Sequence, residues 1–245
     1  MKIIDVKNYQ EMSKKAAEYI IEKVRHSKNL NLGLATGGTP VGTYTNLIED
    51  HKQNHTSYQG VKTFNLDEYV GLSGDNHNSY RFYMNDQLFN HIDIKKANTH
   101  IPQGDAKDMQ KECTDYENLL VEHGGIDLQV LGIGSNGHIG FNEPGTSFES
   151  NTHIVDLAPS TREANARYFD SLEEVPTRAV TMGIATIMKS KEILLLVSGE
   201  NKKEALSSLL HGEVDERFPA SVLRNHPCVT IIADEAAIAD EKVRS

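Results

Sequence analysis

A glycine-rich stretch over residues 131–145 carries two side chains suited to proton transfer, His138 and Glu143. It follows the apolar run 126–131, which predicts a buried strand, and its five glycines favour neither a strand nor a helix. We therefore expect a loop at a strand end. An imidazole has an unperturbed pKa of about 6.5, and a nearby carboxylate can orient it for acid–base chemistry near neutrality. A structural loop whose histidine bonds only to the backbone is one alternative. A metal site is a weaker one, because His138 has no histidine partner four residues away.

A second glycine-rich turn separates a predicted strand from a predicted helix. Its residues are Thr36, Gly37, Gly38 and Thr39. Free backbone N–H groups at a helix N-terminus, together with the helix dipole, favour phosphate. A tight turn without a ligand is the alternative. No Walker A lysine follows this turn, and the Gly-x-Gly-x-x-Gly spacing over 132–137 lacks a clear ribose-binding acid, so nucleotide binding is the weaker hypothesis.

Charged side chains at three further positions are candidates for the same site. Asp67 follows the predicted strand 61–64 and is a candidate base, although turn and helix-capping roles are commoner for aspartate. Lys202 or Lys203 and Arg167 are candidate phosphate ligands, the arginine because its guanidinium can bind two oxygens. Taken singly, each cation would more often be solvated surface.

Short apolar runs alternate with helix-period segments along the chain, a pattern typical of βα units around a mostly parallel sheet. The predicted strands are 2–6, 31–35, 61–64, 126–131, 152–157, 179–182, 192–197 and 228–233. The predicted helices are 9–26, 41–50, 79–89, 105–123, 159–168 and one that ends at Gly212. Four strands end in the candidate segments 36–39, 65–69, 132–145 and 198–203, and parallel strands would place all four at one edge. No repeat or composition break marks a second domain, so we predict a single α/β catalytic domain over 1–245.

Composition excludes several classes of partner. The 25 basic and 35 acidic residues give a net charge of −10, which argues against nucleic acid and against an anionic membrane surface. The two cysteines, Cys113 and Cys228, form no Cys-x-x-Cys pair, which indicates neither a disulfide framework nor a zinc site and fits a reducing cytosol. We find neither a signal peptide nor an 18-residue apolar window, and we predict a cytoplasmic protein.

The chemistry of these residues alone predicts a protein that transfers protons on a small phosphorylated molecule. Three sequence motifs resemble those of a known family. They are Leu-Ala-Thr-Gly-Gly-Thr-Pro (34–40), Asn-Leu-Asp-Glu-Tyr (65–69) and Gly-Ile-Gly-Ser-Asn-Gly-His-Ile-Gly-Phe-Asn-Glu-Pro (132–144). In this order, and over nearly the whole chain, the sequence resembles the glucosamine-6-phosphate deaminases of the glucosamine-6-phosphate isomerase/6-phosphogluconolactonase family. The resemblance implies a Rossmann-like three-layer α/β/α sandwich and the conversion of glucosamine 6-phosphate and water to fructose 6-phosphate and ammonium, in amino-sugar catabolism. We class the expected enzyme as a hydrolase acting on an amino sugar phosphate.

The resemblance also implies roles for individual residues. Asp67 would be the base that moves the C2 proton to C1 through an enolamine. His138 would open the pyranose ring, oriented by Glu143 and Asn136. Two acid–base groups are needed because only the open-chain aldehyde acidifies the C2 proton. The implied contacts with substrate and phosphate are Thr36, Gly37, Gly38, Thr39, Arg167 and Lys202, with Lys202 preferred over Lys203 from its spacing after Gly199.

The resemblance implies neither a metal nor an organic cofactor, and it leaves open whether the chain forms a homo-oligomer. Some members have aspartate where this chain has Asn136, so an amide would take over the orienting role. Basic activator-binding residues of allosteric members are replaced by His153 and Val155, so we expect no allosteric activator. Two rivals are a 6-phosphogluconolactonase, which needs no base at C2, and a non-catalytic sugar-phosphate sensor, which would need an attached DNA-binding segment. We also predict that residues 158–177 form a lid over the sugar.

Overall fold

The computed structural model describes residues 1–238, apart from the side chains of residues 160, 164 and 168. Strands and helices alternate along the chain as the sequence predicts. The strands are β1 (Lys2–Val6), β2 (Asn31–Leu34), β3 (Lys62–Asn65), β4 (Asp67–Tyr69), β5 (Thr99–His100), β6 (Leu128–Gly132), β7 (His153–Asp156), β8 (Arg178–Thr181), β9 (Glu192–Val197) and β10 (Val229–Asp234). The α-helices are α1 (Tyr9–His26), α2 (Val41–Asn54), α3 (Tyr80–Gln87), α4 (Met109–Glu122), α5 (Pro159–Asn165), α6 (Ile184–Met188), α7 (Lys203–His211) and α8 (Glu235–Ile238).

The central sheet of the described chain has seven strands in the order β1-β10-β9-β6-β2-β3-β5, and every neighbouring pair is parallel. The four strands whose ends carry the candidate residues, β9, β6, β2 and β3, are consecutive neighbours in this order. Because the carboxyl ends of parallel strands meet at one edge, the predicted gathering of these segments at a single edge is confirmed.

Helices cover both faces of the sheet, which confirms the predicted three-layer arrangement. Alternate residues of β9 point to opposite faces of the sheet. Leu194 and Leu196 pack on one face, among residues of α1, α2 and α3. Leu195 packs on the other face, among residues of α4, α6, α7 and α8. Successive side chains of a strand point to opposite faces, so a strand buried on both faces needs a continuous apolar run. The sequence Glu192–Val197, with five buried residues after the first, meets that requirement.

A second, smaller sheet lies beside the first, and the sequence did not predict it. Within the described residues β4, β8 and β7 pair antiparallel in that order, with Asp67 of β4 opposite Thr181 of β8. Its packing cluster includes Tyr69, Phe141 and Leu157. Asp67 follows β3, as predicted, but it does not lie in a turn or cap a helix: it is the first residue of β4, a strand of the small sheet.

Several helix boundaries also differ from the predicted ones, and α2, predicted to end at residue 50, extends to Asn54. The predicted helix 105–123 begins at Met109, where Asp108 accepts a hydrogen bond from the backbone N–H of Lys111 and so caps the helix. The predicted helix 159–168 ends as an α-helix at Asn165 and continues as a 3-10 turn over Ala166–Tyr168. Over residues 1–238, no helix combines the length and the apolar character that crossing a membrane requires.

Candidate active site

The turn Thr36–Thr39 lies between β2 and α2, and two tyrosines of other helices form hydrogen bonds with its backbone. The hydroxyl of Tyr83 on α3 donates to the Gly37 carbonyl at 2.7 Å, and that of Tyr9 on α1 donates to the Gly38 carbonyl at 3.0 Å. Gly37 has a φ of +89°, a conformation that favours glycine. Pro40 precedes α2 without forming a side-chain cap. The turn lies at the N-terminus of α2, where the helix dipole favours an anion, although the N–H of Gly42 already donates to the Tyr9 hydroxyl at 2.9 Å.

Asp67 is the first residue of β4, and its side chain is buried beside the glycine-rich loop 131–145. It is 6% exposed, and its Oδ2 atom lies 3.5 Å from the position that a Cβ on Gly140 would occupy. Burial, and then the charge of Glu68, raise the pKa of Asp67 to about 8. A carboxylate in this environment can accept a proton and release it again near neutral pH.

Glu68 was not predicted as a site residue, yet it positions α3, the helix that follows β4. Its buried carboxylate accepts hydrogen bonds from the backbone N–H groups of Tyr69, Tyr80 and Arg81, at 2.9, 2.9 and 3.0 Å. Two of these donors lie in the first turn of α3, where a negative charge also complements the helix dipole. Glu68 thus fastens the start of α3 to β4.

His138 lies in the loop after β6 and is oriented by an amide. Its Nδ1 atom lies 2.7 Å from Asn136 Oδ1, and Asn136 Nδ2 donates to Glu143 Oε2 at 2.8 Å. His138 Nδ1 and Glu143 Oε2 are 3.7 Å apart. Because an amide oxygen only accepts, Nδ1 carries the hydrogen in this arrangement and Nε2 is left as the proton acceptor. The predicted grouping of Asn136, His138 and Glu143 is thus present in the structure.

The charge of Lys202, on the 3-10 turn Glu200–Lys202 after β9, acts on this imidazole. Burial lowers the pKa of His138, the charge of Glu143 opposes that shift, and the charge of Lys202 adds to it. Burial also lowers the pKa of Lys202. Lys203 instead forms an ion pair with Glu200, at 3.5 Å. The charge of Lys202 is thus the lysine charge that shifts the pKa of His138.

The loop that carries Lys202 is fixed by Asp234 at the end of β10. Its carboxylate accepts a hydrogen bond from the Ser198 hydroxyl at 2.5 Å and one from the Gly199 N–H at 3.1 Å. Gly199 has a φ of +97°, which lets the chain turn directly after β9. Asp234 is a supporting residue that the spacing of the sequence did not indicate.

Arg167, the remaining predicted cation, is exposed on the 3-10 turn Ala166–Tyr168. The same segment contacts the site elsewhere, because the Thr161 hydroxyl donates to Glu143 Oε1 at 2.5 Å and the ring of Phe169 meets that of Tyr69 at 5.6 Å between centroids. The structure therefore brings segment 158–177 to the glycine-rich loop through Thr161, a residue that sequence reasoning missed.

Metal binding can be assessed from the donor side chains alone. Across residues 1–238, no three His, Cys, Asp or Glu side chains form a group that could hold a metal ion.

Together these features define a class of protein: a Rossmann-like α/β fold with an acid–base site for a small anionic ligand at the carboxyl edge of its sheet. Residues 7–231 match the family described as glucosamine-6-phosphate isomerases/6-phosphogluconolactonase. The chain belongs to this family.

Relatives within the family are similar over their full lengths. The chain is 60% identical, over 100% of both sequences, to a glucosamine-6-phosphate deaminase of Halalkalibacterium halodurans. It is 53% identical to glucosamine-6-phosphate deaminase 1 of Bacillus subtilis, covering 97% of this chain and 98% of that protein. A solved structure described as a monomeric glucosamine-6-phosphate deaminase is 52% identical, with a TM-score of 0.96 over 98% of this chain and 99% of the other.

More distant structures share the fold alone. A 6-phosphogluconolactonase from Trypanosoma brucei has a TM-score of 0.79 at 18% sequence identity, covering 98% of both chains. The family comparison also corrects one prediction, because assignment to the hydrolases was wrong. The matched family is described by its isomerases, and the relatives are deaminases. The reason is chemical, since the proposed shift of a proton from C2 to C1 is an aldose–ketose isomerisation.

Proposed function

We propose that this protein converts glucosamine 6-phosphate to fructose 6-phosphate and ammonium. The observation that carries the proposal is the meeting of two separate proton-transfer groups on one loop. Asp67 lies against Gly140, and His138 belongs to the same stretch two residues earlier. Similarity to deaminases at 52–60% identity supports the choice of substrate.

The first step of the proposed reaction is ring opening at His138. Nε2 accepts the proton of the C1 hydroxyl, and a proton is returned to the ring oxygen as the C1–O5 bond breaks. Asn136 holds the imidazole through Nδ1 without adding a charge, and burial keeps the ring neutral near pH 7. The product is an open-chain aldehyde, in which the C2 proton has become acidic.

Asp67 carries the second step. Its carboxylate removes the C2 proton while the aldehyde oxygen gains one, which gives an enolamine. The same carboxylate then protonates C1 as the amino group gives up a proton, which leaves an imine at C2. Water adds to this imine, and ammonia leaves to give the ketone of fructose 6-phosphate. The raised pKa of Asp67 suits a group that must both take up and give back a proton.

We propose that the phosphate binds at the turn Thr36–Thr39 with Lys202 and Arg167. The positive end of the α2 dipole lies at this turn, and the charge of Lys202 acts on His138. Arg167 lies on a segment that already contacts Glu143 through Thr161.

We propose a cytoplasmic location as well, supported by the free thiols of Cys113 and Cys228, and cell fractionation would test it.

One assay tests the function. Ammonium and fructose 6-phosphate are measured from glucosamine 6-phosphate, and 6-phosphogluconolactone hydrolysis is followed alongside. Stoichiometric release of both products supports the proposal. Lactone hydrolysis without ammonium release would replace it with the lactonase alternative.

Replacement of Gly134 by alanine should displace the imidazole. A Cβ at this position would lie 2.2 Å from the ring of His138, so either the ring or the loop must move. Misplacement by about 1 Å can lower the rate about a hundredfold, and we expect a loss of that order in kcat. Gly132→Ala is the matched control, because a Cβ there meets nothing within 4 Å. Equal activity of the two variants would contradict the proposed position of His138.

We propose that no activator controls this enzyme. The motivation is the replacement of the basic residues of allosteric members by His153 and Val155. Initial rates measured against glucosamine 6-phosphate should be hyperbolic and unchanged by N-acetylglucosamine 6-phosphate at subsaturating substrate. A several-fold increase in rate, or a sigmoid curve that becomes hyperbolic, would show that an activator site exists.

A further inference from the structure

Segment 158–177 is braced within itself. The backbone N–H of Leu157 donates to the carbonyl of Thr177 at 2.8 Å, which closes the base of the segment. The guanidinium of Arg162 on α5 donates to the carbonyls of Leu172 and Val175, at 3.0 and 2.8 Å. Hydrogen bonds of this kind tie α5 to the far end of the segment, so α5 and the turn that carries Arg167 belong to one unit.

Two side chains of this unit reach the rest of the molecule at the site. The ring of Phe169 packs against that of Tyr69 on β4 in a T-shaped arrangement. Thr161 makes the polar contact, with its hydroxyl 2.5 Å from Glu143 Oε1. The two contacts therefore differ in kind: Phe169 packs against an aromatic ring, whereas Thr161 forms a hydrogen bond with the carboxylate beside His138.

Both oxygens of Glu143 have donors in this arrangement. Oε1 accepts from Thr161, and Oε2 accepts from Asn136 Nδ2 at 2.8 Å. His138 Nδ1 is 2.7 Å from the Asn136 oxygen but 3.7 Å from Glu143 Oε2. If the bond from Thr161 were lost, a rotation of the carboxylate would let Glu143 pair directly with the imidazole.

We propose that Thr161 is a positioning residue: it holds Glu143 away from His138, and so links the docking of segment 158–177 to the acid–base chemistry of the loop. The kinetic part of this inference rests on the proposed deaminase function. The charged groups that act on the imidazole are Glu143 from its own loop and Lys202 from the loop after β9. Thr161 changes the position of the first of these and leaves the second alone.

The test compares three variants. Thr161→Val removes the hydroxyl at nearly constant shape, Thr161→Ser retains it, and Phe169→Leu weakens the apolar contact without touching Glu143. The titration of His138 is followed by NMR in histidine-labelled protein without substrate, with the His138→Gln variant used to assign the signal. We expect Thr161→Val to raise the pKa of His138 by about half a unit or more, because a carboxylate that moves closer favours the charged imidazole. Thr161→Ser should leave it unchanged, and Phe169→Leu should shift it less than Thr161→Val does, because the threonine hydroxyl is retained.

Kinetics give the second readout. Loss of one hydrogen bond to a charged group should lower kcat of Thr161→Val about tenfold with little change in KM. Thr161→Ser should recover most of the rate, whereas Phe169→Leu should mainly raise KM, because the unit that carries Arg167 docks less firmly.

The two proposals can fail separately. A His138 pKa that is the same in Thr161→Val and in the unmodified protein overturns the positioning role, whether or not the protein is a deaminase. A shift in Phe169→Leu equal to that in Thr161→Val also overturns it, because docking alone would then account for the effect. An unmodified protein that releases no ammonium from glucosamine 6-phosphate overturns the proposed function, while the titration still decides the role of Thr161.

Discussion

Asp67→Asn should release ammonium from glucosamine 6-phosphate about a thousandfold more slowly than the unmodified protein, or not measurably. Asparagine has nearly the same shape as aspartate but cannot accept a proton, so the variant should still bind the substrate. Turnover is measured as ammonium release, and binding by calorimetry. In D2O the unmodified protein should incorporate deuterium at C1 of the product, and the variant should not.

Two further observations sharpen this test. Asp75→Asn makes the same chemical change in an exposed loop residue and should keep full activity. A base works only when deprotonated, and burial raises the pKa of Asp67 to about 8. In the unmodified protein kcat/KM should therefore rise with pH through about that value, and fall on the acid side as the carboxyl takes up a proton. Turnover in Asp67→Asn equal to that of Asp75→Asn would remove Asp67 from the mechanism.

The second large effect is expected for His138→Gln. Glutamine can still form hydrogen bonds but cannot exchange a proton near neutrality, so kcat should fall about a hundredfold. The remaining turnover would depend on the uncatalysed opening of the sugar ring. Burial lowers the pKa of His138, so the imidazole of the unmodified protein should stay neutral and active down to mildly acidic pH.

Replacement of an exposed histidine serves as the control. His26 lies on α1, away from the loop after β6, and His26→Gln should keep full activity. Deuterium incorporation should separate the two catalytic steps, because His138→Gln retains the proton transfer at Asp67 on whatever open-chain sugar forms. If His138→Gln kept the full rate, ring opening would not depend on the imidazole.

Much of the central fold could be predicted because its signals are local. The run Glu192–Val197 is apolar enough to be buried on both faces, and the four-residue spacing of Met12, Ala16, Ile20 and Val24 gives α1 one buried stripe. Glycine-rich turns after β2 and β6 showed which strand ends could bind a ligand.

The small antiparallel sheet could not be predicted in the same way. β4 is three residues long and begins two residues after β3 ends, so no periodicity separates it from a loop. Its partner β8 lies more than a hundred residues further along the chain. Such a pairing is decided by tertiary packing, which a single sequence does not display.

The supporting side chains of the site escaped prediction for a related reason. Tyr83 reaches Gly37 across 46 residues, and Ser198 reaches Asp234 across 36. Each of these residues is common on protein surfaces, and its role exists only once the fold brings the partners together. The candidates for proton transfer, Asp67 and His138, could be named because aspartate and histidine have distinctive chemistry, but the supporting Tyr83 and Asp234 could not.

One buried acid has a consequence for the shape of the ligand. Glu68, next to Asp67, accepts hydrogen bonds from the first N–H groups of α3, and the hydroxyl of Tyr83 on the same helix donates to the carbonyl of Gly37. Helix α3 is therefore bonded both to the strand that carries the proposed base and to the proposed phosphate turn. The distance between these two parts of the site is set by one helix and not by two independent loops. Under the proposed function, α3 therefore selects substrates by length, because the distance from the second carbon of the sugar to its phosphate must match the distance from Asp67 to the turn.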